Sequence, residues 1–201
     1  MTKTEKPALN VICRQNVEIR DPGLDCVAVD AGLLYARQQG LNIIQVIGDF
    51  DSSDSTVYLE YQTILIKAEK EKDSSDLQLA LDYLRGYCGA IYIYGALGGR
   101  MDHNFVNLKL CYYSELDIHL IDKQNEIFCL KPGYHTLEEN SYKYVSFFSF
   151  QDCRLSLSGF KYPLNNYLLR CNDNLTLSNE MTIAPSVVIN DSKCLVFLSH
   201  D

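Results

Sequence analysis

The chain has 201 residues, room for one large domain or two small ones, and 47% of them are hydrophobic, the share of an ordinary globular core. A formal net charge of −8 and a pI of about 5.0 argue against nucleic-acid binding, which calls for a basic face. The same charge leaves room for a nucleotide, because local Arg and Lys can offset a negative field.

There are 8 Cys and no Cys-x-x-Cys pair, so a zinc site is not expected, and most of them sit in apolar stretches as small hydrophobes. The first residues lead into no signal-like apolar region. No apolar run approaches the roughly 20 residues of a membrane span. The expectation is a reduced, soluble, cytoplasmic protein without a membrane or nucleic-acid partner.

In chain order, residues 25–29 predict a strand and residues 31–39 a helix closed by Gly40. Strands follow at 43–47 and 63–67. Residues 76–87 predict a helix with Leu77, Leu79, Ala80, Leu81, Tyr83 and Leu84 on a broad apolar face. A strand at 90–94 precedes a helix over 102–114, with Phe105, Val106, Leu108, Leu110 and Cys111 turned inward, and then a strand at 118–121. No element is assigned before residue 25. Alternating strands and helices imply a mostly parallel sheet flanked by helices.

Past Glu126 the pattern changes. Short β-type runs at 127–130, 144–150, 154–157, 175–177, 186–189 and 194–198 are separated by Gly, Pro, Asn and Asp. That spacing suggests a β-sandwich or barrel-like domain. The fold expected is an α/β N-terminal domain over residues 1–125 followed by an all-β sandwich C-terminal domain over residues 126–201.

Three apolar runs of the first half end in polar motifs. The run at 43–47 leads to Gly48-Asp49-Phe50-Asp51-Ser52, the run at 64–66 to Lys72-Asp73-Ser74-Ser75-Asp76, and the run at 91–94 to Gly98-Gly99-Arg100-Met101-Asp102-His103. Ligands of open α/β sheets sit beyond the carboxyl ends of the strands, so the three clusters should converge on one sheet edge. Carboxylates gathered there repel each other unless a cation intervenes, and Mg²⁺ suits an oxygen-rich site shared with substrate phosphates.

Asp49 and Asp51 are the first candidate ligands; the alternative is a turn in which Asp49 and Ser52 bond backbone N–H groups. Asp76 is the better ligand of its pair, and Asp73 a candidate helix cap. Lys72 can meet phosphate as a point charge or remain a solvated charge in its mixed-charge run. Gly98 and Gly99 let backbone N–H groups approach an anion near a helix start, and Arg100 offers a planar fork to phosphate oxygens. Asp102 caps the next helix or joins the metal site. His103 and Asn107, four residues apart, can share one face of that helix. These residues describe a Mg²⁺-nucleotide enzyme.

The same motifs, with Asn107 after the third, resemble those of the thiamine pyrophosphokinase family. Asp30-Ala31-Gly32 is similar to a further element upstream. In the second half, Gly159-Phe160-Lys161-Tyr162-Pro163-Leu164 and Leu177-Ser178-Asn179-Glu180 carry the resemblance on, so that it spans roughly residues 25–198. It implies an α/β domain, a β-sandwich and a homodimer whose sites lie between the α/β domain of one subunit and the β domain of the other. It implies transfer of a pyrophosphoryl group from ATP to thiamine, giving thiamine diphosphate and AMP. Carried over, Asp49, Asp51 and Asp76 resemble Mg²⁺ ligands with Asp102 close by, and Asp30, Lys72, Asp73, Gly98, Gly99, Arg100, His103 and Asn107 fall on the nucleotide side. Tyr162 stands where many members carry an aromatic packed on thiamine, and Thr176, Ser178 and Asn179 match the thiamine-contacting region.

The chain departs from the family in having Ser75 where Thr is usual and no Trp at all. Either Asp76 or Asp102 is a candidate acceptor of the thiamine hydroxyl proton. Two other readings remain: a Mg²⁺-dependent nucleotide phosphohydrolase with water as acceptor, and a non-catalytic sensor of thiamine or nucleotide.

Overall fold

The computed structural model describes residues 7–13, 18–48, 57, 60–67 and 75–201. The chain divides into two compact units, Met1–Lys123 and Gln124–Asp201.

The first unit contains strands β1 (Leu9–Ile12), β2 (Asp25–Val29), β3 (Asn42–Gly48), β4 (Leu65–Lys67), β5 (Ala90–Tyr94) and β6 (Asp117–Ile121). They lie in the order β4-β3-β2-β1-β5-β6, and every neighbouring pair is parallel. The chain therefore runs outward from β1 in one direction and then returns to β1's other edge as β5. This is the switch point at which an open α/β sheet leaves a crevice beyond its strand ends.

Helix α1 (Gly32–Gln38) packs on β1, β2 and β3, helix α2 (Asp76–Tyr83) on β2 and β3, and helix α3 (Met101–Tyr113) on β6. One face of the sheet supplies Ile12, Cys26, Ala28, Val46, Tyr94 and Ile121 to a core closed by Leu33 and Ala36 of α1. Successive strand residues point to opposite faces, so Val11, Val27, Ile47 and Ile93, all buried, lie on the other.

Strands at 25–29 and 90–94 fall where the sequence predicts them, and the other predicted elements of this half shift by a few residues. Three differences matter. Strand β1 is absent from the sequence prediction, being four residues long with the polar Asn10 inside it, yet it is the centre of the sheet. Helix α2 ends at Tyr83 rather than at residue 87, in a turn where Gly86 adopts φ +84°. Helix α3 is rotated relative to the expected inward face: Phe105 and Val106 are exposed, and Asn107, Cys111 and Tyr112 are buried. The polar Asn107 seats the helix by donating its side-chain N–H to the Ala96 carbonyl at 2.6 Å, a contact that hydrophobic periodicity does not register.

The second unit contains β7 (Asn125–Leu130), β8 (Gly133–Leu137), β9 (Tyr144–Phe148), β10 (Cys153–Ser158), β11 (Leu164–Leu169), β12 (Ser186–Asn190) and β13 (Cys194–Ser199). β13 pairs with β7 and β9, while β11-β10-β12-β8 form a second sheet; every pair is antiparallel. The two sheets enclose one core that includes Val145, Phe147, Leu155, Leu157, Val188 and Val196, with Phe147 and Phe160 edge to face at 5.6 Å. This is a β-sandwich, as expected.

The run at 175–177 is not a strand. Leu175 and Leu177 are exposed in a turn and only Thr176 is buried. β8 and β11 are missing from the sequence prediction, because Gly133 and Asn165-Asn166, which read as separators, lie inside them. Among the described residues, none of the eight Cys is joined in a disulfide. Among the described residues, no helix is long and apolar enough to cross a membrane.

Candidate active site

A cleft of about 140 Å³ opens at the switch point of the parallel sheet. Cys13 follows β1, Val29 and Asp30 end β2, Gly95 and Ala96 follow β5, and all of them line it. Ser75, Asp76 and Leu77 enter from the start of α2, and His103 and Asn107 from α3. Of the residues singled out in the sequence, Asp30, Asp76, Gly98, His103 and Asn107 thus surround one cavity. Sequence reasoning misses Cys13, while Ala96 belongs to the glycine-rich turn at 95–100 that the sequence marks out. The only signal for Cys13 is a position just past a strand end, and β1 itself escapes the sequence pattern.

Asp30 sits in the left-handed region at φ +46°, where non-glycine residues are uncommon and Asp is among the tolerated ones. Its backbone N–H donates to the Ile47 carbonyl at 2.9 Å, and its carbonyl accepts from Leu33 at the first turn of α1 at 3.1 Å. The carboxylate lies directly over Gly48, where a Cβ would overlap it. Backbone strain of this kind is usually kept only where it aims a group at a function.

The start of α2 is built by Ser75. Its hydroxyl accepts from the Gln78 backbone N–H at 3.3 Å, so Ser75 rather than an aspartate is the N-cap. Asp76 follows in the first turn, where the helix dipole favours a carboxylate. In the turn after β5, Gly95, Gly98 and Gly99 have φ of +75°, +87° and +69°, which only glycine adopts without cost.

Arg100 and Asp102 lie just beyond this turn and are both largely exposed. They pair with each other as a fork: Nε donates to Oδ1 at 3.1 Å and Nη2 to Oδ2 at 2.5 Å. The Arg100 hydrogen bonds, helped by the His103 backbone N–H, pull the Asp102 carboxyl down to about 2, and Asp102 in turn raises the Arg100 guanidinium. Asp49, Asp51, Lys72 and Asp73 lie outside the described residues.

In the second unit, Tyr162 and Ser178 are exposed, whereas Thr176 and Asn179 are buried at 2% and 3% exposure. The Thr176 hydroxyl donates to the Phe147 carbonyl. Ser178 is left-handed at φ +55°, and its N–H donates to the Ser146 hydroxyl at 2.9 Å.

Residues 25–121 match the family model for the thiamin pyrophosphokinase catalytic domain, and residues 134–195 match that for the thiamin pyrophosphokinase vitamin B1 binding domain. The chain belongs to the thiamine pyrophosphokinase family. The thiamine pyrophosphokinase of Bacillus subtilis (strain 168) is 37% identical over 165 residues, covering 77% of each chain. The crystal structure of thiamine pyrophosphokinase from Bacillus subtilis is similar at a TM-score of 0.86 and 31% identity, over 98% of this chain and 100% of that one. That of a thiamin pyrophosphokinase family protein from Enterococcus faecalis has a TM-score of 0.86 at 29% identity, with the same coverage. The switch-point cleft of this thiamine pyrophosphokinase family member falls wholly within the segment matched by the catalytic-domain model, apart from Cys13.

Proposed function

We propose that this chain transfers a pyrophosphoryl group from ATP to the hydroxyl of thiamine, releasing thiamine diphosphate and AMP. The observation that carries the reading is the convergence of Asp30, Asp76, the glycine turn, His103 and Asn107 on one switch-point cleft in a chain of this family. Residues 1–125 would form the catalytic, ATP-binding domain and residues 126–201 the thiamine-binding one, in a cytoplasmic homodimer with sites shared between subunits.

The donor set fits Mg²⁺. This ion commonly binds through one or two carboxylates and completes its shell with water and phosphate oxygens. Asp30 and Asp76 supply two carboxylates to one cleft. Asp76 and Asp30, with Asp49 and Asp51 of the neighbouring motif, would hold the ion, and Asp102 is the outlying candidate. When bound, it would neutralise phosphate charge and polarise the phosphorus under attack.

The chain's own groups would do the rest. Backbone N–H groups of the turn at Gly98 and Gly99 would meet phosphate oxygens, as N–H groups at helix starts do. Lys72 and Asp73 belong to the same nucleotide side. Arg100 would exchange its present partner, Asp102, for phosphate and stabilise charge that grows in the transition state. Between the two candidate proton acceptors, Asp76 is favoured because it lines the cleft, whereas Asp102 lies beyond the glycine turn, outside the cleft lining. Tyr162 and Ser178 would contact thiamine.

Incubation with ATP, Mg²⁺ and thiamine, followed by assay of AMP and thiamine diphosphate, tests the reading. Thiamine-independent release of ADP or phosphate would replace it with a hydrolase. Binding without turnover would replace it with a sensor.

A further inference from the structure

The segment 160–162 lies antiparallel to 179–181. Phe160 bridges to Met181, and the Lys161 N–H donates to the Glu180 carbonyl at 2.9 Å. Continuing this register brings Tyr162 opposite Asn179. There the main chain of Asn179 is already committed elsewhere: its N–H donates to Val145 at 2.9 Å, and its carbonyl accepts from Val145 at 2.7 Å. The left-handed turn at Ser178 directs the backbone toward β9 in this way.

The side chain of Asn179 completes the missing rung. Its Oδ1 accepts from the Tyr162 N–H at 3.0 Å, and its Nδ2 donates to the Tyr162 carbonyl at 2.8 Å. Oδ1 also accepts from the Glu180 N–H at 2.9 Å, which fills both of its lone pairs. The residue is 3% exposed. Its amide oxygen therefore has no capacity left for a ligand. The Tyr162 side chain, by contrast, is held out into solvent at 59% exposure, on a backbone gripped at both its polar groups, with Lys161 Nζ 5.7 Å from the ring centroid.

We infer that Asn179 is a positioning residue whose side-chain amide clamps the Tyr162 backbone and so aims the Tyr162 ring at the thiamine site. This rests on the proposed role of Tyr162 against thiamine. An aromatic fixed before binding does not have to be ordered at the moment of binding, and preorganisation of that kind appears as affinity.

The chain lacks Trp, so Tyr162→Trp places a single indole reporter at the position in question. In that background, Asn179→Ala should lower the anisotropy of the indole emission and raise the thiamine concentration for half-maximal change about tenfold or more, the scale of two lost hydrogen bonds. In the chain that keeps Tyr162, the same substitution should raise KM for thiamine by a similar factor and leave KM for ATP unchanged. Simple destabilisation would reduce the amount of active protein and move neither KM. Asn179→Asp keeps the acceptor for the two N–H groups but turns its second carboxylate oxygen on the Tyr162 carbonyl, so it too should lower the anisotropy, and it carries the comparison if Asn179→Ala does not fold. Anisotropy and thiamine KM unchanged in a folded Asn179 variant would overturn the clamp. Thiamine that leaves the indole emission unaltered in an active Tyr162→Trp enzyme would instead overturn the thiamine role of position 162, and the anisotropy comparison would still decide the clamp.

Discussion

The Arg100 guanidinium lies flat against the Asp102 carboxylate, two nitrogens facing two oxygens at 3.1 and 2.5 Å. The pair sits at the mouth of the glycine turn and is largely open to water. A fork that fits a carboxylate in two places also fits two phosphate oxygens. Under the proposed reading, Asp102 occupies the fork of Arg100 that a phosphate would take in the reaction.

Arg100→Lys should consequently lose more in turnover than in ATP affinity, because the ammonium keeps the charge and loses the two-point geometry. Steady-state kinetics with ATP varied at saturating thiamine measure both. An unchanged kcat would reduce Arg100 to a surface cation.

The same pair fixes a pH response. Asp102 falls from its usual 3.8 to about 2, chiefly through the Arg100 hydrogen bonds. A depressed carboxyl favours the folded chain above pH 3.8, and that contribution is lost as the pH falls through about 2. Arg100→Ala should bring the Asp102 midpoint back up toward 3.8, read by carbon-detected NMR titration of the carboxyl. Asp102 should remain charged over the whole working pH range, so an acidic limb in the rate profile must come from another group.

Asp76→Asn should cost turnover by about 100-fold or more, the usual weight of a positioned acid–base or metal-binding group. Asp49→Asn and Asp51→Asn should do likewise. None should lower the thermal midpoint of the metal-free protein appreciably, since like charges gathered in one site repel. A variant with near wild-type rate at saturating Mg²⁺ would remove that residue from the metal set.

Much of this is legible in the sequence because the parallel strands are largely buried and read as unbroken apolar runs. The motifs that end them announce the cleft. What stays hidden depends on contacts that hydropathy does not encode. β1 is short and contains the buried polar Asn10, so neither the middle of the sheet nor the switch point is visible. α3 buries the polar Asn107, bonded to the Ala96 carbonyl, beside Cys111 and Tyr112, and leaves the apolar Phe105 and Val106 exposed. In the sandwich, Asn165 and Asn166 look like a loop because their strand is exposed there. Thr176 and Asn179 are recognisable as members of a motif, but that their polar groups hold backbone emerges only from long-range pairing.

Asn107→Ala should destabilise the first unit by about 1–3 kcal/mol, the cost of leaving a buried carbonyl without its donor. The shift in urea midpoint measures it. Asn107→Asp should be at least as damaging, because a carboxylate would then face the Ala96 carbonyl. A loss confined to nucleotide affinity, with stability intact, would show that Asn107 serves the ligand rather than the seat of α3.

The last prediction concerns how many chains make one active site. The acidic motifs belong to the first half of the chain, while Tyr162 and Ser178 belong to the second. A C2 dimer joins two copies through one self-complementary surface, and each copy can thereby offer its first half to the other's second half. Chains carrying Asp51→Asn, and chains altered at both Tyr162 and Ser178, should each be inactive as homodimers. Mixed and allowed to exchange, they should regain activity, because a mixed dimer then holds one site with both defects and one with neither. With random exchange of equal amounts, about half the dimers are mixed and each has one good site of two, so recovery should approach about a quarter of the unaltered rate. Exchange followed by native mass spectrometry, with one chain isotope-labelled, counts the mixed dimers independently. Mixed dimers without regained activity would assign each site to a single chain, and a monomer in the same spectrum would remove the shared site altogether.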